Sequence, residues 1–305
     1  MRILITGGSG FIGSHLAQHF QAQAEIVILD NLRSGYRRNL DGIPHTFIEG
    51  SVTDRAVVDQ AMQGVDYVFH LAAMISVPES MLKPHECAEI NVTGLLNVLE
   101  SAAAAGVKKL VLASSAAIYG DNPVVPKIET MFPEPKSPYA ITKLDGEYYL
   151  EMFHREGKLQ TASLRFFNVF GPRQDPKSAY AAAVPIFMEK AFAGQPITIF
   201  GDGEQTRDFV HVKDIAAALA HVALHPDIHG TYNVGYGTSM SVNQLAKLII
   251  RLSGSSSEIQ HLPERPGDVK HSRASIDKLR ATGFQHISSL ERGIQETLEF
   301  FRNPR

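Results

Sequence analysis

The sequence predicts an α/β fold: a doubly wound parallel sheet with helices on both faces, followed by a smaller carboxyl-terminal α/β domain. Short apolar runs alternate with segments of helical periodicity through the first half of the chain. The runs are almost continuously apolar, as expected of strands that are covered on both faces. Gly7, Asp30, Ser115 and Asn168 end or follow such runs. Because ligands bind beyond the carboxyl ends of parallel strands, these residues are predicted to share one site.

The predicted strands are runs rich in Val, Ile, Leu and Phe, and the periodic stretches between them are predicted helices. In the first half the strands are 3–6, 26–30, 45–49, 66–71, 109–114 and 161–167, and the helices are 11–20, 54–62, 84–105 and 138–156. After residue 173 the alternation is less regular. There the sequence predicts helices 179–193, 212–224, 241–252 and 288–301, with strands 197–200 and 230–234.

The composition is that of a soluble globular protein. The 305 residues are 44% hydrophobic and 20% charged, with a formal net charge of −3, which gives no electrostatic basis for binding nucleic acid or an anionic membrane. No apolar run is long enough to cross a bilayer, and we predict a cytoplasmic protein. The single cysteine, Cys87, excludes an intramolecular disulfide. His15 and His19 are four residues apart, but no carboxylate accompanies them, so no metal site is predicted.

A glycine-rich turn joins the first predicted strand to the first predicted helix. The run Thr6-Gly7-Gly8-Ser9-Gly10-Phe11-Ile12-Gly13 has glycines at G-x-G-x-x-G spacing. Without Cβ atoms, the backbone amides of such a turn approach a pyrophosphate closely, and the positive end of the helix dipole faces that anion. A glycine run alone is a weak signal, since it also suits an ordinary turn before a helix.

Asp30 strengthens the prediction of a dinucleotide site. It ends the second predicted strand, twenty residues after Gly10. An acidic residue there hydrogen-bonds the adenosine ribose and repels a 2′-phosphate, which favours NAD over NADP. The alternative is an Asp that ends a strand in a turn with Asn31. Three arginines that follow could contact a phosphate and leave NADP open: Arg33, Arg37 and Arg38.

Tyr139 and Lys143 are four residues apart and share one face of a predicted helix. A cation near the phenol favours the phenolate, so the pair suits a general base. An ordinary surface pair has the same spacing. Ser114 and Ser115 end the strand before this helix, where a hydroxyl could meet the same substrate atom as Tyr139. That combination favours a general base at the sheet edge over an ordinary surface pair.

Nine ordered motifs span most of the chain. They are Thr6 to Gly13 as above, Asp30-Asn31-Leu32, His70-Leu71-Ala72-Ala73, Asn91-Val92-Thr93-Gly94, Ser114-Ser115-Ala116-Ala117-Ile118-Tyr119-Gly120, Ser137-Pro138-Tyr139, Arg165-Phe166-Phe167-Asn168, Arg207-Asp208-Phe209 and Arg265-Pro266-Gly267-Asp268. With these motifs the chain resembles the extended short-chain dehydrogenase/reductase superfamily, and within it the nucleotide-sugar 4-epimerases of the UDP-galactose 4-epimerase type.

The resemblance implies a Rossmann-type NAD-binding domain at 1–172 with return segments near 205–235. It implies a substrate-binding domain at 173–204 and 236–305. The implied cofactor-binding residues are Gly7, Gly10, Phe11, Ile12, Gly13, Asp30, Asn31, Ser51, Val52, Leu71, Ala72, Ala73, Asn91, Tyr139 and Lys143. The implied reaction is reversible epimerisation at carbon 4 of a UDP-hexose through a 4-keto sugar.

The catalytic residues implied by the resemblance are Ser115, Tyr139 and Lys143. Tyr139 would remove the proton of the 4-hydroxyl, and Ser115, or Ser114 in its place, would hydrogen-bond the 4-oxygen. Lys143 would hold the nicotinamide ribose and lower the pKa of Tyr139. The implied substrate-binding residues are Ser115, Asn168, Phe200, Arg207, Arg265 and Ser272, with both arginines on the diphosphate and Phe200 stacked on uracil.

Three positions depart from the family pattern. Gly50-Ser51 replaces Gly-Asp, so Ser51 and Val52 are expected to contact the adenine. Ile75 stands where some bacterial relatives have a lysine beside the nicotinamide. Ser272 aligns with a residue that is Tyr in members of narrow specificity, and a small side chain there leaves room for a 2-acetamido group. UDP-GlcNAc and UDP-GalNAc are therefore expected substrates beside UDP-Glc and UDP-Gal.

Other activities of the superfamily fit less well. The 4,6-dehydratases and the decarboxylases carry acidic residues where this chain has Ala116-Ala117. A UDP-glucuronate 4-epimerase stays open, since it uses the same tyrosine and NAD. A non-catalytic NAD-binding relative is the least favoured alternative, because such a protein has no use for the set of Ser115, Tyr139 and Lys143. By resemblance, helices 84–105 and 138–156 pair in a homodimer, although their apolar residues could instead pack on the sheet.

Overall fold

The computed structural model describes residues 1–176, 183–264 and 270–302. Its strands are β1 (Arg2–Thr6), β2 (Glu25–Asp30), β3 (Thr46–Glu49), β4 (Tyr67–His70), β5 (Lys109–Ser115), β6 (Gln160–Phe166), β7 (Asn168–Phe170), β8 (Ile197–Phe200), β9 (Thr206–Arg207), β10 (Phe209–His211), β11 (Gly230–Val234), β12 (Met240–Ser241) and β13 (Ile259–Leu262). Its α-helices are α1 (Phe11–Phe20), α2 (Arg55–Ala61), α3 (Val77–Leu82), α4 (Pro84–Ala88), α5 (Gly94–Ala104), α6 (Pro138–Arg155), α7 (Ala183–Phe192), α8 (Val212–Leu224), α9 (Val242–Ser253), α10 (Asp277–Arg280) and α11 (Leu290–Arg302).

Seven of the strands form one parallel sheet in the order β11-β6-β5-β4-β1-β2-β3. The chain winds outward from β1 through β2 to β3, and then in the other direction from β4 through β5 and β6 to β11. This reversal between β1 and β4 confirms the predicted doubly wound α/β fold. It also creates a crevice at the carboxyl ends of β1 and β4, where ligands bind in such sheets.

Each face of the sheet has its own apolar core, because successive side chains of a strand point to opposite faces. Ile3 and Ile5 of β1 pack in the core that contains α1 and α8. Leu4, between them, packs in the core that contains α2, α5 and α6. The nearly continuous apolar runs of the sequence follow from this two-sided burial.

The six strands predicted in the first half are all present, with bounds that differ from the prediction by at most one residue. The predicted helix 84–105 is formed by α4, a wide π-helical turn over Glu89–Thr93, and α5. Helix α3 was not predicted; it has six residues, too few to show a helical period, and Ser76 caps it by accepting from the amide of Glu79.

A third core lies in the carboxyl-terminal part of the chain. Helices α7, α9 and α11 pack around the two-stranded pair of β8 and β13. Helix α9 begins with a capping box formed by Ser241 and Gln244, and it ends at Gly254 in the left-handed conformation. The first part of the predicted helix 179–193 lies outside the described residues, and its remainder is α7. The division into two domains is a prediction that this arrangement supports.

Within the three described ranges, no helix has the length and apolar content to cross a membrane.

Candidate active site

The predicted phosphate turn lies between β1 and α1, and its glycines are required by close packing. Gly7 has φ +71°, and a Cβ there would lie 2.7 Å from the backbone nitrogen of Ala72. A Cβ on Gly13 would lie 2.4 Å from the carbonyl oxygen of Gly7. Helix α1 begins after Gly10 without a side-chain cap, so its first amides stay available to an anion. The turn therefore fits a pyrophosphate.

Asp30 lies at the carboxyl end of β2, and the backbone holds its carboxylate in place. Oδ2 accepts from the amide of Ser9 at 3.0 Å, and Oδ1 accepts from the amide of Leu32 at 2.8 Å. This orients the carboxylate at the edge of the cavity beside the glycine turn. The position matches the one expected for contact with an adenosine ribose.

The three arginines that left NADP open have other partners. Arg33 forms ion pairs with Glu79 and Glu86. Arg37 pairs with Glu49, and the guanidinium of Arg38 lies 4.3 Å from the ring centre of Tyr36. A 2′-phosphate would have to displace these contacts and approach Asp30, so the arrangement favours NAD.

A cavity of about 620 Å³ extends from Asp30 to Lys143 along the carboxyl ends of the strands. Of the fifteen residues predicted to bind the cofactor, fourteen line it: Gly7, Gly10, Phe11, Ile12, Gly13, Asp30, Asn31, Ser51, Val52, Leu71, Ala72, Ala73, Tyr139 and Lys143. Ile75 also lines it and is 64% exposed. The predicted cofactor residues therefore lie around one cavity, which further residues also line.

Asn91 is the predicted cofactor residue that does not line this cavity. It is buried in the π-helical turn, where its Oδ1 accepts from the amide of Met74 and its Nδ2 donates to Thr142 Oγ1 and to the carbonyl of Met74. Its amide is thus used within the protein. Asn91 connects the segment after β4 to helix α6, and it does not line the cofactor cavity.

Two loops that sequence reasoning missed also line the cavity. Tyr36, after β2, donates its hydroxyl to Asp175 Oδ2 at 2.9 Å, across 139 positions of sequence. The loop that follows β2 is held in place by two bonds to the carbonyl of Ser9, which accepts from Tyr36 N and from Asn39 Nδ2. The loop that follows β7 and contains Asp175 is held by the hydrogen bond of His15 Nε2 to the carbonyl of Pro172, at 2.9 Å. No local sequence pattern signals this contact, because it depends on the tertiary arrangement.

The catalytic candidates meet where α6 begins beside the end of β5. Ser137 caps α6 by accepting from the amide of Ala140, and Pro138 occupies the first turn. The side chain of Ser115 lies near the hydroxyl of Tyr139 and lowers its pKa. Lys143 Nζ donates to the carbonyl of Ala113 at 2.8 Å and lies 5.8 Å from the ring centre of Tyr139. The three predicted catalytic residues therefore form one cluster.

Ser115, and not Ser114, is the hydroxyl that faces Tyr139. The Ser114 hydroxyl donates to Glu147 Oε1 at 2.5 Å, deep in the protein. Ser115 is only partly buried and accepts from the amide of Ala117. The sequence did not show which of the two serines would act beside Tyr139. In the structure the two hydroxyls have different partners.

Burial raises the pKa of Tyr139, and the side chain of Ser115 lowers it in part. Burial also lowers the pKa of Lys143 to about 8. The expected lowering of the Tyr139 pKa by Lys143 is not found, because the ammonium is directed at the carbonyl of Ala113 and both side chains are desolvated. Ser115 is thus the neighbour that favours the phenolate.

A second cavity, of about 630 Å³, adjoins the end of β6 and β7. It is lined by the predicted substrate residues Asn168, Phe200 and Arg207, and by Lys190, which the sequence analysis did not single out. Phe200 is half-buried and faces this cavity, so it is not a simple core residue.

Ser272 lies beside Arg207: its amide donates to the carbonyl of Thr206, the preceding residue of β9, at 3.1 Å. Arg265 falls outside the described residues. Across the described ranges, no three His, Cys, Asp or Glu side chains are grouped as a metal site. His15 is instead engaged by Pro172, and Cys87 is buried near Asn91.

Comparison with known proteins agrees with this geometry. A family model described as the NAD dependent epimerase/dehydratase family matches residues 3–235. A UDP-glucose 4-epimerase of Mycolicibacterium smegmatis is 38% identical over 99% of each chain.

Two of the similar solved structures illustrate the match. A UDP-N-acetylglucosamine 4-epimerase from Methanobrevibacter ruminantium, in complex with UDP-N-acetylmuramic acid, is 39% identical with a TM-score of 0.96, and the match covers 100% of this chain and 99% of that chain. A Thermus thermophilus UDP-glucose 4-epimerase in complex with NAD is 39% identical with a TM-score of 0.91, covering 100% of both chains. The chain therefore belongs to the NAD-dependent epimerase/dehydratase family, and NAD is its cofactor.

Proposed function

We propose that this enzyme is an isomerase that inverts carbon 4 of a UDP-hexose. The observation that carries the proposal is the cluster of Ser115, Tyr139 and Lys143 at the end of the NAD cavity. The residues after Ser115 are Ala116 and Ala117, so the carboxylates that an elimination needs are missing there. The relatives named as UDP-sugar 4-epimerases support the same reaction.

The proposed roles follow from position. NAD, when bound, supplies the site with a reversible hydride acceptor. Tyr139, as phenolate, takes the proton of the sugar 4-hydroxyl and later returns it. Ser115 donates to the 4-oxygen while negative charge develops there. Lys143 is placed to hold the nicotinamide ribose, and the glycine turn with Asp30 to hold the pyrophosphate and the adenosine.

We assign the second cavity to the nucleotide part of the substrate. Arg207 lines it, and a guanidinium suits a diphosphate because its fork of N–H donors matches the phosphate oxygens. Arg265 is proposed for the same role from its motif alone. Phe200 offers an aromatic face to the uracil, and Asn168 lies between this cavity and the end of β6.

We propose that the sugar site accepts UDP-GlcNAc and UDP-GalNAc as well as UDP-Glc and UDP-Gal. Ser272 is a small residue held next to Arg207 through the carbonyl of Thr206. Ser272→Tyr is expected to reduce turnover of the acetamido sugars at least tenfold and to leave the other pair within about threefold. An equal loss on both pairs, measured as kcat/KM, would contradict this assignment.

Proton NMR tests the proposed reaction directly. The purified enzyme is incubated with saturating NAD and either UDP-Glc or UDP-GlcNAc, and the anomeric signals are followed to equilibrium. The expected result is a mixture of each sugar with its 4-epimer. Tyr139→Phe is expected to retain NAD and to lose most of the turnover, whereas a non-catalytic NAD-binding protein gives no product in either form. Conversion of UDP-glucuronate alone would move the assignment to a uronate 4-epimerase.

We also propose a homodimer that forms through α6. Ile141, Tyr148 and Met152 lie on one face of this helix and are 46%, 60% and 41% exposed. Light scattering coupled to size exclusion is expected to give twice the chain mass of 33.4 kDa, and a monomer would reject the proposal. The cytoplasmic location stays a prediction.

A further inference from the structure

One face of α6 contacts three consecutive residues at the end of β5. Tyr139, Lys143 and Glu147 are spaced four residues apart on this helix. Tyr139 lies near the side chain of Ser115, Lys143 Nζ donates to the carbonyl of Ala113, and Glu147 accepts from the hydroxyl of Ser114. Glu147 thus extends the row of catalytic side chains by one turn, although it lies away from the reacting atoms.

The Glu147 carboxylate is buried, and protein donors occupy both of its oxygens. Oε1 accepts from Ser114 Oγ at 2.5 Å and from Arg165 Nε at 2.9 Å. Oε2 accepts from Arg165 Nη2 at 2.7 Å. All three residues are at most 6% exposed. A hydroxyl that donates to a buried carboxylate is held in one direction, since no water competes for it.

Arg165 in turn is fixed from the other side. Its Nη1 donates to the Tyr119 hydroxyl at 2.9 Å, and that hydroxyl donates to Asn233 Oδ1 at 2.7 Å. Asn233 Nδ2 donates to the carbonyl of Lys127 at 2.9 Å. The carboxylate is thus anchored through β6 and β11.

Ser114 needs such an anchor because it lies one residue before the catalytic hydroxyl. It continues the face of β5 that packs against α6, the face of Leu110 and Leu112. It also lines the cofactor cavity. A free Ser114 hydroxyl at this place would be a second hydrogen-bond donor next to Lys143 and Tyr139.

We propose that Glu147 is a positioning residue. It holds the Ser114 hydroxyl towards the protein interior and thereby fixes the end of β5. Of the two serines, only Ser115 is then directed at Tyr139. The role of Ser115 in this statement rests on the proposed function. Glu147 itself does not touch the substrate or the cofactor.

The test compares Ser114→Ala with Ser114→Thr, which restores the hydroxyl. Ser114→Ala is expected to lower kcat about tenfold with KM within about twofold, because the lost constraint affects only the position of catalytic groups. Ser114→Thr is expected to recover most of the activity. Ser101→Ala is the control, since Ser101 is also a buried serine but lies on α5, away from the site.

A second readout needs no sugar. The pKa of Tyr139 is measured from the tyrosinate absorbance of each protein minus that of its Tyr139→Phe counterpart. The titratable side chains that face Tyr139 are Lys143 on α6 and Cys87 on α4, and the substitution changes neither. If Ser115 loses its orientation, the pKa of Tyr139 rises in Ser114→Ala and returns in Ser114→Thr. A failure of the proposed sugar reaction leaves this readout intact.

A double-mutant cycle links the effect to Glu147. Glu147→Gln and Ser114→Ala are combined, and the double variant is expected to lose no more kcat than Glu147→Gln alone, since both act through one bond. Additive losses would overturn the proposal. So would an unchanged kcat and unchanged Tyr139 pKa in Ser114→Ala, or a loss no larger than that of Ser101→Ala.

Discussion

Three histidines that are buried in the neutral form predict a steep loss of stability in mild acid. Burial, together with Arg173, lowers the pKa of His15 to about 3. Burial, together with Lys143, lowers the pKa of His70 to about 3. Burial lowers the pKa of His211 to about 4, and neither ring nitrogen has a hydrogen-bond partner among the described residues.

The sign and size of this change in unfolding free energy follow from proton linkage. Because the folded-state pKa values lie below the ordinary histidine value of 6.5, the unfolded chain binds more protons than the folded one as the pH falls below that value. Stability is fully present above pH 6.5 and is lost progressively towards the folded-state values. Between pH 7 and pH 5 each histidine costs about 2 kcal/mol, and the three together about 6 kcal/mol, which is comparable to the whole stability of many domains.

Urea unfolding of the NAD-saturated enzyme at pH 7, 6 and 5 measures this loss. His70→Asn keeps a hydrogen-bonding group for Thr6 Oγ1 in the place of Nδ1, and His15→Gln keeps a donor for the carbonyl of Pro172 in the place of Nε2. Each is expected to reduce the acid loss by about 2 kcal/mol. His85→Gln, at an exposed position, is the control and should leave the pH dependence unchanged. A total loss below about 2 kcal/mol, or variants with the wild-type slope, would refute the reasoning.

Three further predictions concern the site. Tyr36→Phe removes the hydrogen bond to Asp175 across the NAD cavity and should speed NAD release about fivefold, as followed by fluorescence after dilution; a rate equal to that of the unmodified enzyme would contradict it. Gly13→Ala places a Cβ 2.4 Å from a backbone oxygen, so the purified protein should lose bound NAD, and wild-type occupancy would show that the turn tolerates it. Ser115→Ala removes the side chain that lowers the pKa of Tyr139, so the rising limb of the pH–activity profile should move to higher pH, and an unmoved limb would exclude this role.

The sheet and the cofactor cavity could be predicted because their signals are local. A strand buried on both faces shows a continuous apolar run, and a phosphate turn requires glycine for steric reasons at the positions where it bends. Gly13 illustrates the second case, since the backbone of Gly7 lies where its side chain would be.

The remaining features depend on partners that are distant in sequence. Ser114 donates to Glu147, 33 positions further along, and the contact of Tyr36 with Asp175 joins two loops that no pattern relates. The orientation of Lys143 towards Ala113 likewise follows from how α6 docks on β5. Spacing on a helix shows which side chains share a face, but it does not show which residues of other elements they contact.

Strand β11 makes the cofactor half of the enzyme inseparable from the chain that follows it. Residues Gly230 to Val234 pair with Ala162 to Phe166, and α8, which leads to β11, packs against α1. A recombinant fragment that stops at residue 172 would expose the peptide groups of β6 as a bare edge and uncover apolar surface on α1. Exposed edges recruit strands from other molecules, so such a fragment should aggregate. A truncation intended to yield a working NAD-binding fragment must therefore cut the gene beyond Val234.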